Sequence, residues 1–326
     1  MYKAFRTVEL PDGTFTSSVV ELDEAALSGE VVVRVAYSGI NYKDFLSAGG
    51  NKGITKQYPH TPGIDAAGTV VSDSTGTFAP GAEVVVMGYD LGMNTDGGFA
   101  ELIAVPAAWV LAKPATFTLR QTMEIGTSGF TAALGISKML RMGMTPEDGP
   151  VVVSGATGGV GTWGVQLLAS MGFEVWAATG KAESAPMLLE LGAAKVVGRD
   201  EIAAPKEKPL LRPAWAGALD TVGGDTLVAL LKRTKKNGSV ATCGNVGGAK
   251  LEMTVLPFIL NGVNILGINA ADTLMPVRKQ VWQLLEEYAR PDLVAKAGRE
   301  IGLDEVAEAL EAMKTSAHTG RFLIKL

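Results

Sequence analysis

Cysteine and histidine are scarce in this sequence of 326 amino acids. There is one cysteine, Cys243, and there are two histidines, His60 and His318. One cysteine cannot form an internal disulfide framework, and it excludes a cysteine-rich structural zinc site. Cys243 lies in a predicted buried strand, so we expect an ordinary core residue there. For His60 we expect a structural or surface role.

An excess of basic charge is also absent. The chain has 29 lysine and arginine residues against 34 aspartates and glutamates, a formal net charge of -5. This charge balance does not indicate the excess of basic residues by which proteins bind nucleic acid. No apolar run reaches the roughly 18 residues needed to cross a bilayer, and residues 1–6 lack the apolar core of a signal peptide. These absences predict a cytoplasmic protein with neither a nucleic-acid nor a membrane partner.

What the sequence does contain is apolar residues, 47% of the total, which is enough for full globular burial. The length predicts two domains. Up to about residue 122 the chain is rich in short β-branched runs, at 31–35, 68–71 and 83–87. Glycine, proline and aspartate separate them, which favours a compact, mostly antiparallel barrel.

From residue 123 the pattern changes to strands that alternate with helices. A helix is expected from Thr127 to Arg141. The predicted strands of this region are 151–153, 174–178, 195–197, 217–222, 238–243 and 264–269. Short apolar strands separated by helices indicate a parallel sheet that is covered on both faces.

The last part of the chain changes pattern again. Helices are predicted at 276–288 and 303–313, and a final strand at 321–325. A strand that follows a complete six-strand set has no obvious place in that sheet, so we expect it to return to the first domain. The predicted division is therefore 1–122 with 272–326 for a substrate domain, and 123–271 for a nucleotide-binding domain.

A glycine-rich turn stands between the first strand and the first helix of the second domain. Glycines occur at 155, 158 and 161, after the strand 151–153 and before a helix over 162–169. Strand, glycine turn and helix together present backbone N–H groups to a dinucleotide pyrophosphate. The candidate contacts are Thr157, Gly158, Gly159 and Val160.

An acidic residue is missing at the end of the second strand of this domain. The segment there is Thr179-Gly180-Lys181, whereas NAD-binding sheets place a carboxylate near this point to bind the ribose 2′-hydroxyl. A hydroxyl, a glycine and a lysine would instead attract a 2′-phosphate. We therefore favour NADPH over NADH, with Arg199 as a second candidate for the same phosphate. The alternative is that these cations are simply solvated.

Five motifs together resemble the medium-chain dehydrogenase/reductase superfamily over essentially the whole chain. They are Gly39-Ile40-Asn41-Tyr42-Lys43-Asp44, Pro62-Gly63-Ile64-Asp65-Ala66-Ala67-Gly68, Ala156-Thr157-Gly158-Gly159-Val160-Gly161, Asp220-Thr221-Val222-Gly223-Gly224 and Gly320-Arg321-Phe322. The chain is most similar to the zinc-free quinone-oxidoreductase-like branch and, through residues 41–44 and 179–181, to its acrylyl-CoA reductase subgroup. The resemblance implies an α/β fold: a GroES-like β-rich barrel domain and a Rossmann doubly wound parallel sheet.

The zinc alcohol dehydrogenases of the superfamily differ at two of these motifs. They carry Gly-His-Glu where this chain has Gly63-Ile64-Asp65, and a cysteine near position 41, which is asparagine here. Isoleucine cannot bind a metal and asparagine is a poor zinc ligand. We therefore expect no catalytic metal.

Reduction of an activated C=C bond needs no metal. Hydride adds to the β-carbon, and hydrogen-bond donors must stabilise the enolate oxygen that results. By resemblance, Tyr42 lies in the loop beside the nicotinamide, so it is the first candidate as donor or proton source, and Asn41 is the second. Lys43 and Asp44 are expected to form a local ion pair, and Asp65 to support a loop.

Further candidates follow from substrate charge and from the resemblance. Lys52 and Lys56 could contact CoA phosphates, although two solvated lysines are an equally good interpretation. By resemblance, Arg321 approaches the cofactor from the first domain. Asn245, Asn269 and Ala270 follow the fifth and sixth strands and are expected at the nicotinamide side. The resemblance also implies a homodimer, with the strand 264–269 aligned with its twin.

Three functions remain open at this point. The first is NADPH-dependent reduction of a short 2-enoyl-CoA, with acrylyl-CoA as the preferred substrate. The second is an NADPH:quinone or enone oxidoreductase of the same fold. The third is a non-enzymatic protein that has retained NADPH binding.

Overall fold

The computed structural model of the protein describes residues 1–203, 205, 207–296, 298–314 and 320–326. His318 lies outside these residues. The strands, in chain order, are β1 (Tyr2–Glu9), β2 (Phe15–Leu22), β3 (Val31–Gly39), β4 (Asp65–Asp73), β5 (Glu83–Met87), β6 (Leu102–Val105), β7 (Val110–Ala112), β8 (Val151–Ser154), β9 (Val175–Ala178), β10 (Lys195–Val197), β11 (Trp215–Asp220), β12 (Thr234–Thr242), β13 (Asn264–Gly267), β14 (Arg299–Ile301) and β15 (Phe322–Lys325).

Each of the four helices predicted from the sequence is present, with ends that differ from the prediction by up to eight residues, and the described residues form further α-helices. In chain order the α-helices are α1 (Tyr42–Ala48), α2 (Leu119–Arg141), α3 (Gly159–Ser170), α4 (Ala185–Glu190), α5 (Arg199–Ile202), α6 (Gly224–Arg233), α7 (Leu256–Asn261), α8 (Met275–Tyr288), α9 (Pro291–Ala295) and α10 (Val306–Lys314). No helix within the described ranges is both long and apolar enough to span a membrane.

The first compact unit consists of residues 1–127, 271–278 and 295–326. In its described residues, the larger sheet has the order β14-β15-β3-β4-β5-β7, with β6 paired to β3, and β1 and β2 form a separate hairpin. All pairs except β14–β15 are antiparallel. Valines that alternate along β3 and meet β4 and β5 fill the core of the sheet, as the period-2 pattern predicts.

The final strand β15 pairs with β3 through the register Leu323↔Gly39 and Lys325↔Tyr37. This confirms that the end of the chain returns to the first domain. A buried cluster that includes Phe5, Phe99 and Ile324 joins the two ends of the chain. The strand therefore delivers Arg321, the residue before it, to the end of β3 where Gly39 and Asn41 lie.

The second unit consists of residues 128–270 and 279–294. The described strands form one parallel sheet in the order β10-β9-β8-β11-β12-β13. Counted from β8, this is the 3-2-1-4-5-6 order of dinucleotide-binding sheets. Strands β8 and β11 are buried along their whole length, because helices cover both faces of such a sheet.

The two units divide the chain differently from the sequence-based boundaries. Residues 123–127 and 271 lie in the first unit, and residues 279–294 lie in the second. The second difference has a physical cause within the second unit: the buried Gln166 side chain of α3 donates to the Tyr288 carbonyl at 3.0 Å and accepts from the Arg290 N–H at 3.0 Å. The assignment of the units to substrate and nucleotide stays a prediction.

Candidate functional site

The carboxyl ends of the parallel strands form the edge along which most of the predicted cofactor residues lie. Because parallel strands all end at the same side of a sheet, the segments after β8, β9, β10, β12 and β13 share one edge. The residues there are Thr157, Gly158, Gly159, Val160, Thr179, Gly180, Lys181, Arg199, Asn245, Asn269 and Ala270. The structure thus brings together the predicted residues of the second unit.

The glycine turn after β8 has the backbone shape that an anion site requires. Gly155 has φ +58°, in the left-handed region, and its carbonyl accepts the Gly158 N–H at 2.9 Å. Helix α3 then begins at Gly159. A Cβ atom on Gly161 would lie 2.2 Å from the Gly155 carbonyl oxygen, so the helix packs tightly on the turn. The first-turn N–H groups of α3 have no acceptor inside the helix and favour a bound phosphate.

The buried carboxylate of Asp220, which begins one of the five motifs but was given no role from the sequence, holds this edge together. Asp220, the last residue of β11, accepts hydrogen bonds from the hydroxyls of Ser154 at 2.7 Å and Thr242 at 2.9 Å, and from the Gly223 N–H at 2.9 Å. It therefore ties the ends of three neighbouring strands together under the glycine turn. An aspartate that ends a wholly apolar strand was the available signal.

The end of β9 is polar and basic, and it lies beside the end of β10, since Ala178 pairs with Val197. Thr179 is buried, and its hydroxyl oxygen accepts the Lys181 N–H at 3.0 Å. Arg199 is exposed and forms no ion pair within the described ranges. A Cβ atom on Gly180 would lie 2.6 Å from Arg199 Nε. The guanidinium group therefore lies directly over Gly180. A hydroxyl, a glycine and a cation together fit a ribose that carries a 2′-phosphate.

The segments after β12 and β13 contribute exposed side chains. Asn245 and Asn269 are exposed, and Ala270 is half-buried. Cys243 directly follows β12 instead of lying within it, and it is half-buried, so the prediction of a core strand position was wrong. Burial, and then the nearby Asp220, raise the pKa of the Cys243 thiol to about 12, which makes it a poor nucleophile.

In the first unit, Tyr42 is the first residue of helix α1 and is 51% exposed. Its ring lies 5.7 Å from the ring of Phe45. Its hydroxyl has no hydrogen-bond partner among the described residues. The phenol is therefore available as a donor.

Asp44 anchors the beginning of this helix. Its carboxylate accepts the N–H groups of Asn41 at 2.7 Å, Gly63 at 3.0 Å and Ile64 at 2.9 Å. Burial, opposed by the Asn41 N–H and supported by the neighbouring Asp65, raises the pKa of Asp44 to about 7. The expected Lys43–Asp44 ion pair is wrong, because backbone amides occupy the carboxylate and Lys43 Nζ lies 3.9 Å from the sulfur of Met93.

Asn41, Asp65 and Arg321 meet in one buried cluster. Asn41 Nδ2 donates to the Gly39 carbonyl at 3.0 Å and to Asp65 Oδ2 at 2.9 Å. Asp65 also accepts from the Thr127 N–H at 2.9 Å and its hydroxyl at 2.6 Å. The Arg321 guanidinium forms an ion pair with Asp65 and donates to Asn41 Oδ1 at 3.2 Å. Asp65 therefore joins separate segments of the chain, as expected of a structural residue.

These residues do not fit a zinc ion. Asn41 and Asp65 are hydrogen-bonded to each other and to Arg321. Ile64 is buried and apolar. In the part of the chain that the structure describes, no group of three or more His, Cys, Asp and Glu residues could hold a metal.

The two predicted CoA contacts have different surroundings. Lys52 Nζ forms an ion pair with Glu9 at 2.5 Å and lies 4.8 Å from the ring centroid of Tyr58, so its charge is already partly engaged. The side chain of Lys56 is exposed. His60 is buried, with Nδ1 3.4 Å from Asp96, which is a structural environment.

Comparison with known proteins gives two family matches. Residues 27–115 match the family described as the alcohol dehydrogenase GroES-like domain, and residues 159–287 match the family described as zinc-binding dehydrogenase. The chain is 44% identical over 299 residues to Bacillus subtilis YhfP, whose name assigns it to the quinone oxidoreductases, and the match covers 91% of this chain and 90% of YhfP. It is 44% identical over 255 residues to the acrylyl-CoA reductase AcuI of Ruegeria pomeroyi, with 78% and 77% covered.

Solved structures give the same picture. The yhdH oxidoreductase from Salmonella enterica in complex with NADP superposes with a TM-score of 0.95 at 39% identity, over 99% of both chains. Bacillus subtilis yhfP with NAD bound superposes with a TM-score of 0.96 at 40% identity, over 100% of this chain and 99% of that one. These matches confirm the predicted fold class, a GroES-like domain with a Rossmann-type parallel sheet.

Proposed function

We infer the function from family membership, because this chain belongs to the medium-chain dehydrogenase/reductase superfamily, in the branch that includes AcuI and YhfP. We propose that it is an NADPH-dependent oxidoreductase that reduces the C=C bond of a short 2-enoyl-CoA, acrylyl-CoA to propanoyl-CoA. The family membership confirms the resemblance given by the five sequence motifs.

The observation that supports this proposal is that Tyr42 is exposed and that its hydroxyl is available for a hydrogen bond. The Tyr42 residue is exposed and its hydroxyl has no partner among the described residues, while the helix that bears it is anchored through Asp44. A donor that is held in place before the reaction loses little energy to reorganisation. Such a group suits the stabilisation of charge that appears only during the reaction.

The chain's own residues do the following in the proposed reaction. NADPH, when bound, supplies a hydride to the β-carbon of the enoyl thioester. Tyr42 donates a hydrogen bond to the thioester oxygen, where negative charge develops as the hydride adds and an enolate forms. A proton from solvent then adds to the α-carbon and completes the reduction. One donor of this kind contributes typically about 3 kcal/mol to the transition state. Asn41 is a positioning group, because its amide is already hydrogen-bonded within the protein.

The choice of NADPH is supported by Arg199, which has no ion-pair partner among the described residues, and by the lack of a carboxylate at 179–181. Two solved neighbours, from Salmonella enterica and Escherichia coli K-12, were crystallised with NADP or NADPH, and one from Bacillus subtilis with NAD. The residues of this chain agree with the NADP and NADPH complexes. At the carboxyl edge of the parallel sheet, Arg199 offers a cation to the 2′-phosphate of NADPH. Residues 179–181 offer no carboxylate to the ribose 2′-hydroxyl of NADH.

Quinone or enone reduction is the second candidate, favoured by the identity with YhfP. It shares the hydride donor and Tyr42 with the first. The engagement of Lys52 by Glu9 weakens one of the two proposed CoA contacts, which leaves Lys56 as the candidate for a CoA phosphate.

The test is NADPH oxidation measured in parallel with acrylyl-CoA, crotonyl-CoA and a benzoquinone. We expect the highest kcat/KM with acrylyl-CoA, and a large preference for the quinone would reject the first candidate. Tyr42→Phe should lower kcat by roughly 100-fold, as the loss of a charge-stabilising donor does. Tyr288→Phe, on α8, is the matched control with unchanged kcat. Tight NADPH binding without turnover of any substrate would favour the non-enzymatic alternative.

We also propose an oligomeric state and a cellular location for the protein. A homodimer is supported by β13, which lies at the end of the described parallel sheet and exposes Ile265 at 41%. An unpaired edge strand is a ready template for a second copy. Light scattering of the purified protein tests the dimer, and Ile265→Lys should shift it to monomer. A cytoplasmic location remains a prediction.

A further inference from the structure

The guanidinium of Arg321 lies in a space shaped for it. A Cβ atom on Gly39 would lie 2.3 Å from Arg321 Nη2, and one on Gly126 would lie 2.1 Å from Nη1. Any larger residue at either position would collide with the guanidinium group. The arginine side chain is 9% exposed. It is therefore enclosed between two stretches of backbone, and only glycine permits this approach.

The same site supplies acceptors to the enclosed cation. Gly126 has φ 42° and ψ -155°, which interrupts helix α2, and the Ile125 carbonyl accepts from Arg321 Nη1 at 2.9 Å. Asp65 pairs with Nη2, and Asn41 Oδ1 lies 3.2 Å from the same nitrogen. A break in a helix, a buried carboxylate and a side-chain amide thus converge on one guanidinium group.

Asn41 connects this cation to Tyr42. Its Oδ1 faces Arg321, its Nδ2 faces Asp65 and the Gly39 carbonyl, and its N–H binds Asp44. These three polar groups of the residue that precedes α1 are therefore fixed. Because Tyr42 follows directly in the chain, the orientation of α1 depends on this residue.

We propose that Arg321 is a positioning residue for Tyr42: its fixed positive charge, paired with Asp65, holds Asn41 and so sets the start of helix α1. Residues 41 and 64–65 are the positions at which the zinc-dependent members of the superfamily carry ligands. In this chain a cation that belongs to the protein itself stands among them. The catalytic consequence rests on the proposed function of Tyr42, but the anchoring of α1 does not.

The first experiment removes the cation and returns it from solution. In Arg321→Ala the enclosed space is emptied, and kcat should fall by roughly tenfold or more, with a smaller effect on the KM for NADPH. Guanidinium chloride far below denaturing concentrations should restore part of kcat, while sodium chloride and urea should not. Arg321→Lys should fail to replace arginine, because an ammonium group lacks the planar set of donors. Arg299→Ala, which removes an exposed partner of Glu305, is the matched control and should leave kcat unchanged.

The second readout does not need a substrate. Amide hydrogen exchange over Tyr42–Ala48 should become faster in Arg321→Ala and slow again when guanidinium is added. If this occurs and no enoyl-CoA is reduced by the parent enzyme, the proposed function fails and the anchoring stands. Unchanged exchange in α1, or no response to guanidinium, would overturn the inference.

If Arg321→Ala does not fold, Asn41→Ala tests the same connection, because it leaves the Arg321–Asp65 pair in place. It should show fast exchange in α1 without any rescue by guanidinium. Slow, parent-like exchange in this variant would equally contradict a role for the cation in positioning Tyr42.

Discussion

At the scale of single residues, the proposed preference for a phosphorylated cofactor depends on Arg199. It is exposed at the start of α5, it has no ion-pair partner among the described residues, and it lies over Gly180. The neighbouring Lys195, by contrast, forms an ion pair with Glu201 at 2.9 Å. Arg199 is thus free to accept an anionic ligand.

We expect Arg199→Ala to weaken NADPH binding by roughly tenfold, because a charge-assisted hydrogen bond contributes about 1.5–3 kcal/mol. NADH binding should not change. Titration of both nucleotides by fluorescence or calorimetry checks this, with Arg212→Ala as the control. Equal weakening of both nucleotides would show that Arg199 supports the fold and not the phosphate.

At the scale of elements, the glycine turn depends on the backbone of Gly155 and on its fit against β11. Its φ of +58° suits glycine, and a Cβ atom there would lie 2.3 Å from Thr221 Oγ1. That hydroxyl donates to the Ser154 carbonyl at 2.9 Å. A side chain at 155 would therefore disturb both the turn and the junction between β8 and β11.

Gly155→Ala should lower the free energy of unfolding by roughly 1–3 kcal/mol, the usual cost of a non-glycine residue in such a conformation, and should weaken NADPH binding. Urea unfolding and nucleotide titration measure the two effects. The control is Gly198→Ala, where φ is -75° and a Cβ atom would meet nothing within 4 Å. If both variants behave alike, the turn does not depend on the conformation of Gly155.

The sequence predicted the positions of those strands whose apolar side chains are buried. The run 83–87 was predicted as a strand and is one, since its valines are buried. Strand β12 begins four residues before its predicted start, at Thr234, because the polar residues there still pair: Thr234 is opposite Trp215 of β11. Pairing of this kind leaves no trace in hydrophobicity.

At the scale of the whole molecule, two carboxylates, the buried Asp44 and the exposed Asp96, make stability depend on pH in opposite directions. Burial raises the pKa of Asp44 to about 7 from its ordinary 3.8. For Asp96, hydrogen bonds from His60 and Arg6 outweigh burial and lower the pKa to about 2. The folded state therefore keeps a proton on Asp44 that the unfolded chain releases, and releases one from Asp96 that the unfolded chain keeps.

The signs follow from these two pKa values. Asp44 stabilises the fold at low pH, and its contribution is lost as the pH rises from about 4 to about 7, at about 1.4 kcal/mol per pH unit. Asp44→Asn should therefore flatten the fall of the unfolding free energy over that range, measured by urea unfolding at several pH values. Asp12→Asn, at an exposed position, is the control. A slope in Asp44→Asn equal to that of the parent would contradict the prediction.

The sequence by itself determined the fold class, the return of the last strand to the first domain, and the glycine turn of a nucleotide site, because each is encoded in local periodicity or in a residue type with one conformational use. Only the tertiary structure decided that Asp65, Arg321 and Asn41 form one cluster, that Asp220 ties three strand ends together, and that Asp44 binds backbone amides instead of Lys43. These contacts join residues up to 280 positions apart. Which residues become partners depends on where whole strands end in the folded chain. A short stretch of sequence does not contain that information.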